Sequence, residues 1–123
     1  MTPTSIKVRK NSRCVELGYG DDLYQLSFEF LRVYSPSAEV RGHGVGNEVL
    51  QVGKKDVTLL TMEAAGNYAL KLVFDDGHDS GLYDWNYLHH LCINQQSLWA
   101  DYLQRLEQAG EKRESASINF KAL

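Results

Sequence analysis

Cysteine is scarce in this chain: Cys14 and Cys92 are the only two among 123 residues, with no CxxC pair. That excludes a disulfide framework and a thiolate metal knuckle, and it fits two structural thiols in a reducing compartment. Long apolar runs are missing as well. None approaches the roughly 20 residues of a membrane span, and "MTPTSIKVRK" lacks the apolar centre of a signal peptide, so a cytoplasmic protein without a membrane partner is expected. Charge of one sign is also lacking. With 13 Lys and Arg against 16 Asp and Glu, the net charge is −3, which gives phosphate backbones no attracting field and argues against nucleic acid.

What remains is an ordinary globular composition, 43% hydrophobic and 24% charged, at a length that suits one domain. The first half reads as short strands and turns. "SIKVR" and "RCVELGY" flank a turn at Asn11 and Ser12, with Val15, Leu17 and Tyr19 alternating to one face, and "LYQLSF" continues the extended chain. Ser27 is placed to cap a short helix "FEFLRVY" that Pro36 stops. "RGHGVGNEVLQVGKK" has four glycines and little periodicity and reads as a long loop, residues 42–55 of which have no assigned role. Strands "DVTLLTME" and "YALKLVF" follow, joined through Gly66 and Asn67, with Tyr68, Leu70, Leu72 and Phe74 on one face. "SGLY" reads as a brief further strand. Asp84 then caps a helix at Trp85, and a second apolar stripe (Leu98, Trp99, Tyr102, Leu103, Leu106) follows with Ser97 as its cap. The expected class is α+β: a small antiparallel sheet of about five to six short strands, a short helix after the third strand and C-terminal helices packed on it. Residues 1–109 form the domain and 110–123 a flexible tail.

The motifs that carry chemistry mostly fail on spacing. Before Gly53-Lys54 the Walker pattern needs glycine where Glu48 stands, and Lys55 occupies the magnesium-binding hydroxyl position. No histidine has a carboxylate two residues on, so no facial triad starts here, and His89 and His90 are adjacent rather than one helical turn apart. "FDDGHDSGLYDW" (74–85) gathers three aspartates besides Asp84, a histidine and a serine. Adjacent strand residues point to opposite faces, however, so Asp79 is badly placed to orient His78 toward Ser80. Asp76-Gly77 reads as a turn with a positive-φ glycine. No enzyme is expected.

Three segments, "FEFLRVYSPSAEVRGHG", "GKKDVTLLTMEAAGNYALKLVFDDGHDSGLYDWNYLHHL" and "LWADYLQRL", together resemble the stand-alone bacterial form of the N-terminal domain of gamma-butyrobetaine hydroxylase. A similar domain is appended to plastid P-loop proteins of iron–sulfur cluster assembly. The resemblance implies a structural zinc held by three cysteines in a C-x-C-x-x-C cluster and one histidine, with oxygenase chemistry in a separate domain. Here Ser35, Ser37 and Val40 stand at the cysteine positions, and His78 is the one ligand kept. Hydroxyls and a valine make a degenerate site, so no metal or other cofactor is expected. The resemblance implies a non-catalytic accessory domain that binds an unknown protein partner, as a monomer or weak dimer, through a patch of Arg32, Arg41, His43, His78 and Asp79. The alternative it implies is a metal-handling accessory protein, with iron or zinc held transiently by His78, His43 and carboxylates such as Asp76 or Asp79.

Overall fold

The computed structural model describes residues 1–42 and 48–115. Strands β1 (Ser5–Arg9), β2 (Cys14–Tyr19) and β3 (Asp22–Ser27) form an antiparallel meander in the order β1-β2-β3. Every residue of β2 is buried, because it is the central strand and has packing on both faces. On one face Val15 and Leu17 join the main core. On the other, Glu16 accepts from Arg9 Nε at 2.9 Å across the β1–β2 pair, so a carboxylate in a buried strand keeps a charged partner. The expected single sheet is two: β4 (Leu59–Ala65), β5 (Ala69–Phe74) and β6 (Leu82–Asp84) make a second antiparallel sheet in the order β4-β5-β6.

Between the sheets comes α1 (Phe28–Val33). Ser27 caps it, its hydroxyl accepting from Phe30 N–H at 3.0 Å, as the sequence predicts. All six residues of α1 are buried, and Phe28, Phe30 and Leu31 enter the core shared with Leu59, Leu70, Leu72, Phe74 and Tyr83. Burying side chains of this kind contributes about 1.5–3 kcal/mol each, which fixes α1 far more firmly than six residues of helix propensity could. After Pro36, a one-turn helix α2 (Ala38–Arg41) forms ahead of the loop expected from Arg41 onward; Ser37 caps it by accepting from Glu39 N–H at 3.1 Å.

The β4–β5 turn has Gly66 at φ 56° and closes with Tyr68 N–H donating to Ala65 O. Tyr68 therefore belongs to the turn and is exposed, not on the buried face with Leu70, Leu72 and Phe74. Helix α3 (Trp85–Ile93) starts at Asp84, whose carboxylate accepts from Tyr87 N–H at 2.8 Å. The second helix, α4 (Gln95–Ala109), follows after Asn94 alone. Ser97 lies inside α4 and donates to Asn94 O, so it is not the cap. Of the second stripe, Tyr102 and Leu106 pack with Val33 in a smaller core while Leu103 is exposed. Past α4, Gly53 and Lys55 N–H groups donate to Lys112 O and Arg113 O, and Arg113 pairs twice with Glu29 and covers the Trp99 ring. Residues 116–123 lie outside the described residues.

Candidate functional site

The segment between β5 and β6 folds back on α1 and α2, and its polar residues divide into two linked groups. Gly77, at φ 87°, lets the chain reverse so that Phe74 N–H donates to His78 O. Asp75 is spent on the backbone, accepting from Thr58 N–H at 3.0 Å. Asp76 turns toward α1. Its Oδ2 accepts from Arg32 Nε at 2.8 Å and from Lys54 Nζ at 2.7 Å, and its Oδ1 accepts from His78 N–H at 3.2 Å. Burial alone would raise the Asp76 carboxyl, but hydrogen bonds from Lys54, Arg32 and the His78 amide outweigh it and hold the pKa at about 2. The Arg32 side chain is only 8% exposed, so Asp76 is the charge that makes its burial tolerable.

The second group is centred on His78, whose side chain is 3% exposed. Its Nε2 lies 2.7 Å from Ser35 Oγ and its Nδ1 lies 3.2 Å from Glu39 Oε2. An ionised carboxylate can only accept, so Nδ1 carries the hydrogen and Nε2 accepts the Ser35 hydroxyl proton. Burial first, then the nearby Arg32 charge, lower the imidazole pKa against the opposing pull of Glu39, which favours this neutral form. Ser37 hydroxyl meets Ser80 at 2.7 Å, and Ser80 donates on to Glu39 at 3.3 Å. Tyr83 completes the seam by donating to Leu31 O from full burial.

Hydroxyl, imidazole and carboxylate in line is also the order used to activate a serine nucleophile. Ser35 does not meet the other requirements. It is 1% exposed, and its oxygen already accepts from Ser37 N–H at 3.3 Å. A Cβ at position 81 would sit 2.5 Å from that oxygen, so Gly81 is the residue that lets the β6 strand approach.

Of the sequence-predicted residues, the structure brings Ser35, Ser37 and His78 together. Val40 is buried nearby in the chain, on the one-turn helix that Ser37 caps. The donor set does not fit zinc: two neutral hydroxyls, each engaged in hydrogen bonds, one imidazole and an alkyl group offer no thiolate and one nitrogen. Arg32 is tied to Asp76, whereas Arg41 is exposed and its guanidinium lies 4.8 Å over the Tyr87 ring. Asp79 is exposed. His43 lies outside the described residues. Among the described residues, no group of three or more His, Cys, Asp or Glu is placed to hold a metal ion. Sequence reasoning passed over Glu39 and Tyr83, and weighed Ser80 and Lys54 only for a catalytic serine and a nucleotide loop. For Glu39 a signal existed, because Ser37-Ala38-Glu39 after a proline is a helix start with an acid in its first turn.

Residues 6–89 match the family model described as gamma-butyrobetaine hydroxylase-like, N-terminal. The chain belongs to this family. Two NMR solution structures are similar to it, one at 56% identity covering 92% of this chain and 90% of the other with a TM-score of 0.82. The second has 50% identity, 93% and 86% coverage and a TM-score of 0.78. A crystal structure from Acidithiobacillus ferrooxidans, of a protein with unknown function in the DUF971 family, is 33% identical over 73% of this chain and 91% of that one, with a TM-score of 0.60. No curated protein matches the chain. The matched region spans 90%, 86% and 91% of these three solved chains.

Proposed function

We propose that this gamma-butyrobetaine hydroxylase-like N-terminal domain is a non-catalytic accessory module that works by binding a protein partner and holds no metal of its own. The observation that carries the reading is the closure of His78, with Ser35 on one ring nitrogen and Glu39 on the other. Neither nitrogen is left for a metal or for a substrate proton, and the cluster ties α1 and α2 to the β5–β6 segment instead. Among the described residues no helix is long and apolar enough to cross a membrane. Two buried free thiols fit a cytoplasmic setting.

Three measurements test it. Protein purified without chelator is assayed for zinc and iron by mass spectrometry, with substoichiometric amounts of both expected; a full equivalent of either would favour the metal-handling alternative. Hydrolysis of p-nitrophenyl acetate is expected to match that of a Ser35→Ala variant, and a clear excess in the wild type would make Ser35 a nucleophile. Immobilised wild-type protein is expected to retain a stoichiometric partner from extract of the source organism. Retention of none across several growth conditions would remove the interaction reading.

A further inference from the structure

A groove of about 240 Å³ opens beside this cluster, floored by Val33 and Val40 and walled by tyrosines and two arginines. Its tyrosine hydroxyls have already donated: Tyr34 to Leu98 O at 2.6 Å, Tyr87 to Tyr34 O at 2.6 Å and Tyr102 to Gln51 O at 2.7 Å. The walls are thereby fixed, and the donors left over come from elsewhere. Arg41 makes no ion pair among the described residues and is held over the Tyr87 ring, as the Arg105 guanidinium is held 5.9 Å from the Tyr34 centroid. Arg105 Nε lies 3.3 Å from the largely exposed Asp101 Oδ2 without hydrogen-bond geometry, and its Nη2 donates a long bond to the Tyr34 hydroxyl at 3.4 Å. On the same wall His90 receives Asn94 at Nδ1, which leaves Nε2 to carry a hydrogen. Glu48 is the one acid among the described residues lining the groove.

We infer that this groove receives an acidic, extended segment of a partner protein, its carboxylate taken by Arg41 and Arg105 and an aliphatic neighbour seated on Val40 against the exposed Val49. The assignment rests on the interaction reading above and names the partner's chemistry. Charge complementarity sets the sign, since among the described lining residues two guanidinium groups, Arg41 and Arg105, face one acid, Glu48. Size sets the class: the volume lies below the roughly 300–1,000 Å³ usual for small-molecule sites, with room for an acidic side chain and one apolar residue. Arginine and tyrosine held rigid at the centre of a concave surface are also the residue types on which binding energy concentrates.

The test is an amide-shift titration of nitrogen-15-labelled protein with acetyl-Val-Glu-Leu-Asp-amide, with its neutral Val-Gln-Leu-Asn counterpart, and with sodium acetate. The acidic peptide should shift Tyr34, Arg41, Val49 and Leu98. Binding should weaken about tenfold or more with the neutral peptide or in the Arg41→Gln/Arg105→Gln variant, the loss expected for a charge-assisted contact. Arg105→Lys should restore part of it. Equal affinity for the two peptides, or no shift at millimolar concentration, overturns the proposal, and so does acetate alone producing the same shifts at the same concentration. Capture with the double-glutamine variant separates the two levels. If the variant still retains the partner that the wild type retains, the groove assignment falls and the interaction reading stands; if the wild type retains none, the interaction reading falls and takes the partner-protein occupant with it.

Discussion

Replacing Asp76 by asparagine removes one charge while keeping the oxygen that accepts His78 N–H, so it isolates the electrostatic share of the cluster. The carboxyl moves from an ordinary 3.8 to about 2 on folding. At about 1.4 kcal/mol per unit this corresponds to roughly 2 kcal/mol of preference for the charged form, and a side chain 20% exposed keeps most, not all, of it once solvent screening is allowed for. The variant also leaves Arg32, 8% exposed and already with an unpartnered Nη1, as a buried charge facing a neutral amide. A loss of about 2–3 kcal/mol is expected, below the 3–5 kcal/mol of a fully buried pair. For a domain of this size the urea midpoint should fall by about 1–2 M. Lys54→Ala should cost about 1 kcal/mol or less, because Asp76 keeps Arg32. Arg32→Met combined with Asp76→Asn should cost at least 1 kcal/mol less than the sum of the two single changes, since no orphan charge remains. A midpoint shift under about 0.3 M for Asp76→Asn, or strict additivity in the double variant, would refute the reasoning.

Ser35→Ala should lose about 1–3 kcal/mol in urea unfolding because it leaves His78 Nε2 buried without its donor, while Ser35→Ala with His78→Leu should fall short of the summed single losses; equal losses would mean the 2.7 Å contact carries no coupling. Gly81→Ala should cost about 1–3 kcal/mol by overpacking, since its methyl would displace the Ser35 oxygen, and the His78 ring-proton shifts should change with it; an unchanged midpoint would show that β6 can give way. Stability against pH should decline in two stages. His78 is lowered in the folded state by burial and by Arg32, so the unfolded chain takes up its proton first and stability declines as pH falls below about 6.5; Asp76 adds a second decline from about pH 4 toward about 2. Urea midpoints across that range check both, and an Asn at position 78 should flatten the upper stage alone.

The elements legible in the sequence are those with local signals. Ser27 and Asp84 precede apolar spacings of helical period, and both cap the helices expected of them. Gly66 and Gly77 occupy the positive-φ positions that their turns require. The division into two sheets was not legible, because alternation along β2 and β5 says which residues are buried but not which strands pair. Ser97 misled for a different reason: α4 starts directly after Asn94 with no side-chain cap at all, since packing of Tyr102 and Leu106 holds the helix without one. In the site, His78 stood out by resemblance and Asp76 by its turn. Glu39 and Lys54 come from segments 39 and 22 residues away from their partners, and nothing in residue spacing links positions so distant.

Besides the two contacts of Glu39 with His78 and Ser80, four contacts join the helical segment to the β5–β6 segment: Leu31 with Tyr83, Arg32 with Asp76, Ser35 with His78 and Ser37 with Ser80. Each is a hydrogen bond of modest net worth, about 0.5–1.5 kcal/mol for the neutral ones and more for the charged pair. Together they can do what one strong centre would do, holding two distant stretches in register without relying on any single ligand. The consequence reaches beyond stability. Ser37 both joins this seam and caps α2, and α2 ends at Arg41, the guanidinium poised over Tyr87 at the groove. A change at Ser80 or Ser37 should therefore reach the groove through the placement of Arg41, whereas a change at Asp76 acts first on the fold. Ser37→Ala should weaken acidic-peptide binding more than its stability loss explains, and the proportional loss of both would mean that the seam and the groove are one cooperative unit.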